Sequence, residues 1–327
     1  MKAEIYKRLF KAIFTEDIIS LKKLASVIIQ EERNLGHHKL ADDLLKISKS
    51  EKPKFSYNTD SFHGTELTSL PTSKRNNMPL VSYIPRNQLK HHMVLPAAIE
   101  ARLVSIEKEY AAKERLSKFN LNPKRKILLY GASGCGKTLS AERIAWNLGL
   151  PLLKVRFDSL LSSYFGESAS NLRLVFEYCK KEPVVLLLDE CDFIAKSRII
   201  NQDVGEVPRI VNMLLTLLDE YDAPGLVIAT TNLKVSLDEA LFRRFDDVIE
   251  IPSPSINEIE KILKMTLSAI PVDPSIDFSL VAKKLEKCSA ANVVSVAQNA
   301  AKYSILEGAK KVTLEYIERA ISEIAII

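Results

Sequence analysis

The eight residues "GASGCGKT", 131–138, constrain this chain more than any other stretch. They follow the apolar run "KILLY" (126–130) and open the helical pattern "LSAERIAWNLG" (139–149). A strand that turns through G-x-x-x-x-G-K-[ST] into a helix is a phosphate cradle. Gly131, Gly134 and Gly136 let backbone N–H groups wrap an anion without a Cβ in the way. Ala132, Ser133 and Cys135 complete that wrap, and the helix N-terminus beginning around Leu139 adds partial positive charge. Lys137 is placed to reach β- and γ-phosphates, and Thr138 to ligate Mg²⁺. ATP and Mg²⁺ are therefore the expected ligands of 131–139.

A phosphate loop needs a sheet behind it, and the following sequence supplies one. "LLKVRF" (152–157), "VVLLL" (184–188) and "LVIAT" (226–230) are apolar at consecutive positions. Strands covered on both faces read this way, as in a parallel sheet flanked by helices. Helical stretches separate them, so the expected fold is α/β, a doubly wound sheet. "VVLLLDE" then puts Asp189 and Glu190 at the carboxyl edge of the sheet, where such folds bind ligands. Asp189 is expected to hold Mg²⁺, and Glu190 to orient and polarise an attacking water. The plain alternative for this acidic pair is a capped helix start. Asn232 stands just beyond the next strand. Its neutral amide is suited to positioning the water, although Asn after a strand also simply makes turns.

From Pro254 onward only helical patterns occur, over 256–269, 278–286, 290–306 and 313–324, which reads as a separate helical unit at 254–327. Residues 1–48 read as three short helices, with Ile5, Leu9 and Ile13 sharing one face, and form a candidate docking unit. Between them, 49–88 is rich in Ser, Thr, Lys, Asn and Pro without an apolar period, and reads as a flexible linker. The nucleotide domain is thus expected at 89–253.

Bulk numbers narrow the partners. The net charge is +5 with 27% charged residues, too mild for nucleic acid as the main partner. Cys135, Cys179, Cys191 and Cys288 lack metal-ligand spacing and read as reduced thiols of a cytoplasmic protein. "MKAEIYKRLFKAIF" is too interrupted by charge for a signal peptide or a membrane span. The longest apolar run, 184–188, is far too short to cross a bilayer.

One further stretch is unusual. "LDEALFRRFD" (237–246) sets Arg243 and Arg244 side by side between two phenylalanines. Together the phosphate loop, Asp189–Glu190, Asn232 and this stretch resemble the AAA+ ATPases in order and spacing, over roughly residues 88–325. The resemblance implies a parallel-sheet ATPase domain with a helical lid, assembled as a homo-oligomer, usually a hexameric ring, with ATP between protomers. Arg243 and Arg244 match the arginines that contact the neighbour's γ-phosphate, a contact worth about 10³–10⁵ in rate. The alternative for either arginine is an intrachain pair with Asp246 or Asp247.

"SSYFGESASNLRLVF" (162–176) looks like the pore loop of the AAA clade that includes katanin, spastin and the membrane-bound proteolytic machines. Tyr164 or Phe165 would then grip an extended polypeptide, unless both pack back into the core. "GEVPRIVNMLLTLLDEY" (205–221) resembles the helix leading to the subunit interface, with Glu206 and Arg209 as candidate interface residues. "CSAANVVSVAQNAA" (288–301) resembles the lid segment that touches adenine, with Ala290-Ala291-Asn292 where the family often has Gly-Ala-Asp, and no lid arginine is evident. "HHMVL" (91–95) lies where the family contacts adenine, but His91 and His92 read as bystanders. Cys135 departs from the family's common loop and exposes the site to thiol oxidation. The whole pattern also resembles bacterial AAA ATPases encoded beside subtilisin-like proteases, which implies such a protease as a partner. Two functions fit: a motor that remodels or unfolds a polypeptide, and a nucleotide-dependent switch that restrains a partner enzyme without threading it.

Overall fold

Strands made only of apolar residues need cover on both faces, and the sheet of this chain provides it. The computed structural model describes residues 70–73, 77–160, 167–192, 206–232 and 242–324. The expected helices of 1–48 and the aromatic pair Tyr164–Phe165 lie outside them. Among the described residues the strands are β1 (Val81–Ile84), β2 (Lys126–Tyr130), β3 (Leu152–Val155), β4 (Val185–Leu188), β5 (Leu226–Thr231) and β6 (Asp247–Glu250). They form one sheet in the order β1-β3-β4-β5-β2-β6. β1 pairs with β3 antiparallel, and the other pairings are parallel. Every residue of β4 and β5 is buried.

The helices of this part are α1 (Ala97–Ala111), α2 (Lys113–Ser117), α3 (Lys137–Leu148), α4 (Phe157–Leu160), α5 (Glu167–Lys181) and α6 (Glu206–Asp219). Alternate strand residues serve opposite cores. Leu128, Leu186, Leu188 and Val227 pack with Leu172, Val175 and Phe176 of α5 and Leu214 and Leu218 of α6. Ile127, Leu129, Leu187 and Ile228 pack with Leu103 and Ile106 of α1 and Ala141 and Ile144 of α3 on the other face. The expected α/β fold, a mostly parallel sheet flanked by helices, is what the chain adopts.

The segment read as a linker over 49–88 differs at its end. Val81–Ile84 is an edge strand of the sheet, and Leu80 and Val81 are buried. Four residues are too few to show a period within a Ser/Asn/Pro-rich stretch. The strand forms because β3 offers a free edge, and the Leu80 carbonyl accepts from the Arg156 N–H at 2.9 Å.

After β6 come α7 (Ile256–Thr266), α8 (Phe278–Lys284), α9 (Ala290–Leu306) and α10 (Leu314–Ile324). They enclose their own core, including Ile259, Leu263, Val281, Val293, Val296 and Ile317. Side chains mark the starts. The Glu258 carboxylate accepts the Ser255 N–H at 2.7 Å before α7, Asp277 caps α8, and Ser289 caps α9.

The topology fixes where a ligand can sit. β2 lies between β5 and β6, while the next strand, β3, lies on the far side of β4 and β5. The chain therefore leaves β2 in one direction and later returns to its other side. That reversal opens a crevice at the carboxyl ends of β2 and its neighbours.

Candidate functional site

Each strand end at that crevice delivers one part of the site. β2 delivers the phosphate loop. At Gly131 a Cβ would fall 2.2 Å from the Ile251 carbonyl oxygen, so only glycine lets the loop leave the sheet there. Gly134 holds φ +75°, and a Cβ on it would meet the Ser289 hydroxyl at 2.7 Å. Its carbonyl accepts the Ala291 N–H at 2.9 Å. The loop thus leans directly on the first turn of α9.

Lys137 begins α3 and is 7% exposed. Its ammonium donates to the carbonyls of Gly131 at 2.9 Å and Ala132 at 2.8 Å, and to Asn232 Oδ1 at 2.7 Å. An ammonium has three donors, and all three are engaged. To meet a phosphate it must exchange one of them. Burial lowers its pKa, against the pull of Cys135, Asp192, Asp189 and Glu190.

β4 delivers the acids. Asp189 Oδ1 accepts from the hydroxyls of Thr138 at 2.8 Å and Thr230 at 2.7 Å, and Oδ2 accepts from Lys154 Nζ at 2.6 Å. Burial pushes this carboxyl up, but the bonds from Lys154, Thr230 and Thr138 outweigh it and hold the group below its ordinary range. A Thr hydroxyl touching a carboxylate is a pair of hard oxygen donors. That fits Mg²⁺, which is bound through one or two such groups plus substrate phosphates. Among the described residues no cluster of three or more His, Cys, Asp or Glu side chains forms a metal cage.

Glu190 is exposed and sits at φ +55°, a left-handed conformation that costs a non-glycine residue about 1–3 kcal/mol. The Glu190 N–H donates to the Thr230 hydroxyl at 2.9 Å, which helps to hold the turn.

β5 delivers Asn232, and a residue that sequence reasoning missed fixes its pose. Asp192 Oδ1 accepts from the Thr231 hydroxyl at 2.7 Å and the Asn232 N–H at 2.8 Å, and Oδ2 accepts from Asn232 Nδ2 at 2.9 Å. The amide can face only one way, its nitrogen on Asp192 and its oxygen on Lys137. Burial raises the Asp192 carboxyl, and the bonds from Thr231 and Asn232 bring it below its ordinary range. The available signal was a third acid in "DECD", three residues after Asp189.

The arginines precede β6. Arg244 Nε donates to Asp219 Oδ2 at 2.9 Å, at the end of α6. The two aspartates considered as intrachain partners have other roles. Asp246 accepts the N–H groups of Arg125 and Lys126 at 2.8 and 2.9 Å, and Asp247 forms ion pairs with Lys124 at 2.9 Å and with Arg102. Arg244 has an intrachain acid, but it is Asp219. Arg243 stands beside it in the turn before β6.

The remaining candidates scatter. Leu139 lies in the first turn of α3, and Arg209 is exposed on α6, where nothing is described of the Glu206 side chain. Cys135 is buried, with its sulfur 3.6 Å from the Ser253 hydroxyl. His91 stacks on Trp146 with ring centroids 3.8 Å apart, while Val94 packs against the core of α7–α10. No helix among the described residues is long and apolar enough to cross a membrane.

Comparison with known proteins agrees with this geometry. Residues 127–253 match the family described as "ATPase family associated with various cellular activities (AAA)". The chain is 33% identical over 330 residues to an uncharacterized AAA family ATPase, y4kL, of Sinorhizobium fredii, covering 98% of this chain and 95% of that one. It is 31% identical over 229 residues to the proteasome-activating nucleotidase of Methanosarcina mazei, covering 68% of this chain and 54% of that relative. The match thus spans about half of the nucleotidase.

Proposed function

The chain belongs to the AAA family of ATPases and hydrolyses ATP, and from that premise we propose that it works as a ring of identical subunits that remodels or unfolds a polypeptide. One observation carries the reading. The carboxyl ends of β2, β4 and β5 gather Lys137, Thr138, Asp189, Glu190 and Asn232 into a single cluster, most of it directly hydrogen-bonded. That is the set phosphoryl transfer to water requires: an anion cradle, a metal carboxylate, a base and a positioning amide.

In this reading the N–H groups of the loop, from Gly131 through Leu139, bind the phosphates. Lys137 trades a loop carbonyl for a phosphate oxygen. Thr138 and Asp189 would hold Mg²⁺, which would supply positive charge to the nucleotide's phosphates. Glu190 draws a proton from the attacking water, and Asn232 holds that water in line. Arg243 and Arg244 reach the γ-phosphate of the adjacent subunit, for which Arg244 must leave Asp219. Tyr164 and Phe165 contact the substrate polypeptide in the ring's channel. The likeness to a proteasome-activating nucleotidase supports a protein as the substrate. A subtilisin-like protease is the proposed partner, and the cytoplasm the proposed location.

The Arg244–Asp219 pair favours a second reading. If the arginines stay on their own chain, the protein is a nucleotide-dependent switch that restrains a partner enzyme. The deciding experiment is ATP turnover per chain across a wide protein concentration range. Alongside it runs a one-to-one mixture of Glu190→Gln chains with Arg243→Ala/Arg244→Ala chains. A shared site gives turnover per chain that rises with concentration, and partial rescue in the mixture. Flat turnover without rescue sinks the ring motor in favour of the switch.

A further inference from the structure

Lys154 belongs to none of the motifs that define the site, yet it touches the centre of it. It lies on β3 between Leu153 and Val155, both buried in the sheet core, and is in register with Leu187 of β4. Its own side chain turns away from that core and ends 2.6 Å from Asp189 Oδ2. The other oxygen of Asp189 already takes two hydroxyls, from Thr138 and Thr230. Oδ1 thus has both of its acceptor positions taken, and Oδ2 carries a tethered positive charge.

The two partners differ in freedom. The Lys154 side chain is 42% exposed, and that of Asp189 is 10% exposed. The ammonium has a solvent-facing route away from the pair, whereas the carboxylate is held on the end of a buried strand. A cation that approaches Asp189 meets an oxygen already neutralised, and the ammonium must move before that oxygen is offered. Two cations cannot share it closely without strong repulsion.

We propose that Lys154 is a displaceable counter-ion of Asp189, which competes with the divalent cation for that carboxylate and so sets how much Mg²⁺ nucleotide binding requires. The inference rests on the reading of Asp189 as the metal carboxylate. Before the metal arrives, Lys154 offsets the charge of an acid that sits close in sequence to Glu190 and Asp192. When Mg²⁺ binds with a nucleotide, the ammonium swings out and Oδ2 is released. A neutral residue at 154 leaves Oδ2 open at all times.

The test uses the full-length chain and the fluorescence of N-methylanthraniloyl-ADP, a nucleotide that is not hydrolysed, titrated with MgCl₂ at fixed nucleotide. The readout is the Mg²⁺ concentration at half of the metal-dependent binding enhancement. Lys154→Gln is expected to lower that midpoint roughly fivefold, the scale of one partly exposed charge-assisted hydrogen bond. Lys154→Arg, whose planar fork grips carboxylate more firmly, is expected to leave the midpoint at or above that of the unaltered protein. A midpoint for Lys154→Gln that is unchanged or higher overturns the proposal. So does a lowered midpoint for Lys154→Arg, which keeps the test decisive if the glutamine variant does not fold. A merely structural lysine would shift the thermal midpoint without this opposite ordering of Gln and Arg. The underlying site is tested separately: if Asp189→Ala binds this ADP analogue with unaltered Mg²⁺ dependence, Asp189 is not the metal carboxylate and the premise fails.

Discussion

At the scale of single residues, Asp192 determines more than its place in the sequence announces. It holds Asn232 by backbone and side chain together, so the amide oxygen is left for Lys137. Asp192→Asn replaces an acceptor with a group that can also donate, and the orientation of Asn232 is no longer forced. Misplacing a catalytic group by about 1 Å costs about 10²-fold in rate. ATPase assays on Asp192→Asn should therefore show kcat down by about that factor, with KM within about threefold. An equal rise in KM would place Asp192 in binding instead. Its carboxyl is held below the ordinary value of 3.8. The stabilisation is then fully present above that value and lost as pH falls through the lower folded value. Melting curves should show Asp192→Asn below the unaltered protein at neutral pH, and the difference should shrink below about pH 4, where the unaltered protein loses stability more steeply.

At the scale of elements, β6 and α9 carry constraints that no motif states. β6 enters the sheet with Asp247 almost buried between Lys124 and Arg102, while the loop before β2 is tied to Asp246. Burial raises the Asp247 carboxyl, and the bonds from Lys124 and Arg102 bring it below its ordinary value. Both cations are partly exposed, so the pair is worth less than a fully buried one. Asp247→Asn should destabilise by about 2 kcal/mol at neutral pH, read by urea unfolding. That difference should shrink as pH falls below the ordinary carboxylate value, because the native acid then protonates as well. Gly134 links the phosphate loop to α9, and both its φ and the nearby Ser289 exclude a side chain. Gly134→Ala should weaken binding of N-methylanthraniloyl-ADP about five- to thirtyfold, from left-handed strain of about 1–2 kcal/mol. Its thermal midpoint should fall by only a few degrees. Binding equal to that of the unaltered protein would show that the loop can leave α9 without consequence. β1 was illegible because four residues beside a polar stretch carry no period, and because its stability comes from the edge of β3. Strands β2 to β5 were legible because burial on both faces leaves unbroken apolar runs.

At the scale of the whole molecule, the central question is whether Arg243 and Arg244 serve this chain or its neighbour. The mixing experiment decides it, since complementation between two inactive chains requires a site built from both. The sequence alone determined the α/β class, and it carries the glycine-rich loop and the acidic pair in plain view. Those features are local: a run of buried residues, a glycine spacing and a charge at a strand end are each written in consecutive positions. Only the tertiary structure decided what those residues touch. The sequence order holds no hint that β3 lies directly beside β4, and so none that Lys154 meets Asp189. Nor does it show that Arg244 chooses Asp219 over the aspartates beside it, or that Ser289 closes on Gly134. Such pairings depend on strand order and on the angle at which helices return to the sheet. Those are set by packing summed over many residues, and no single segment encodes them.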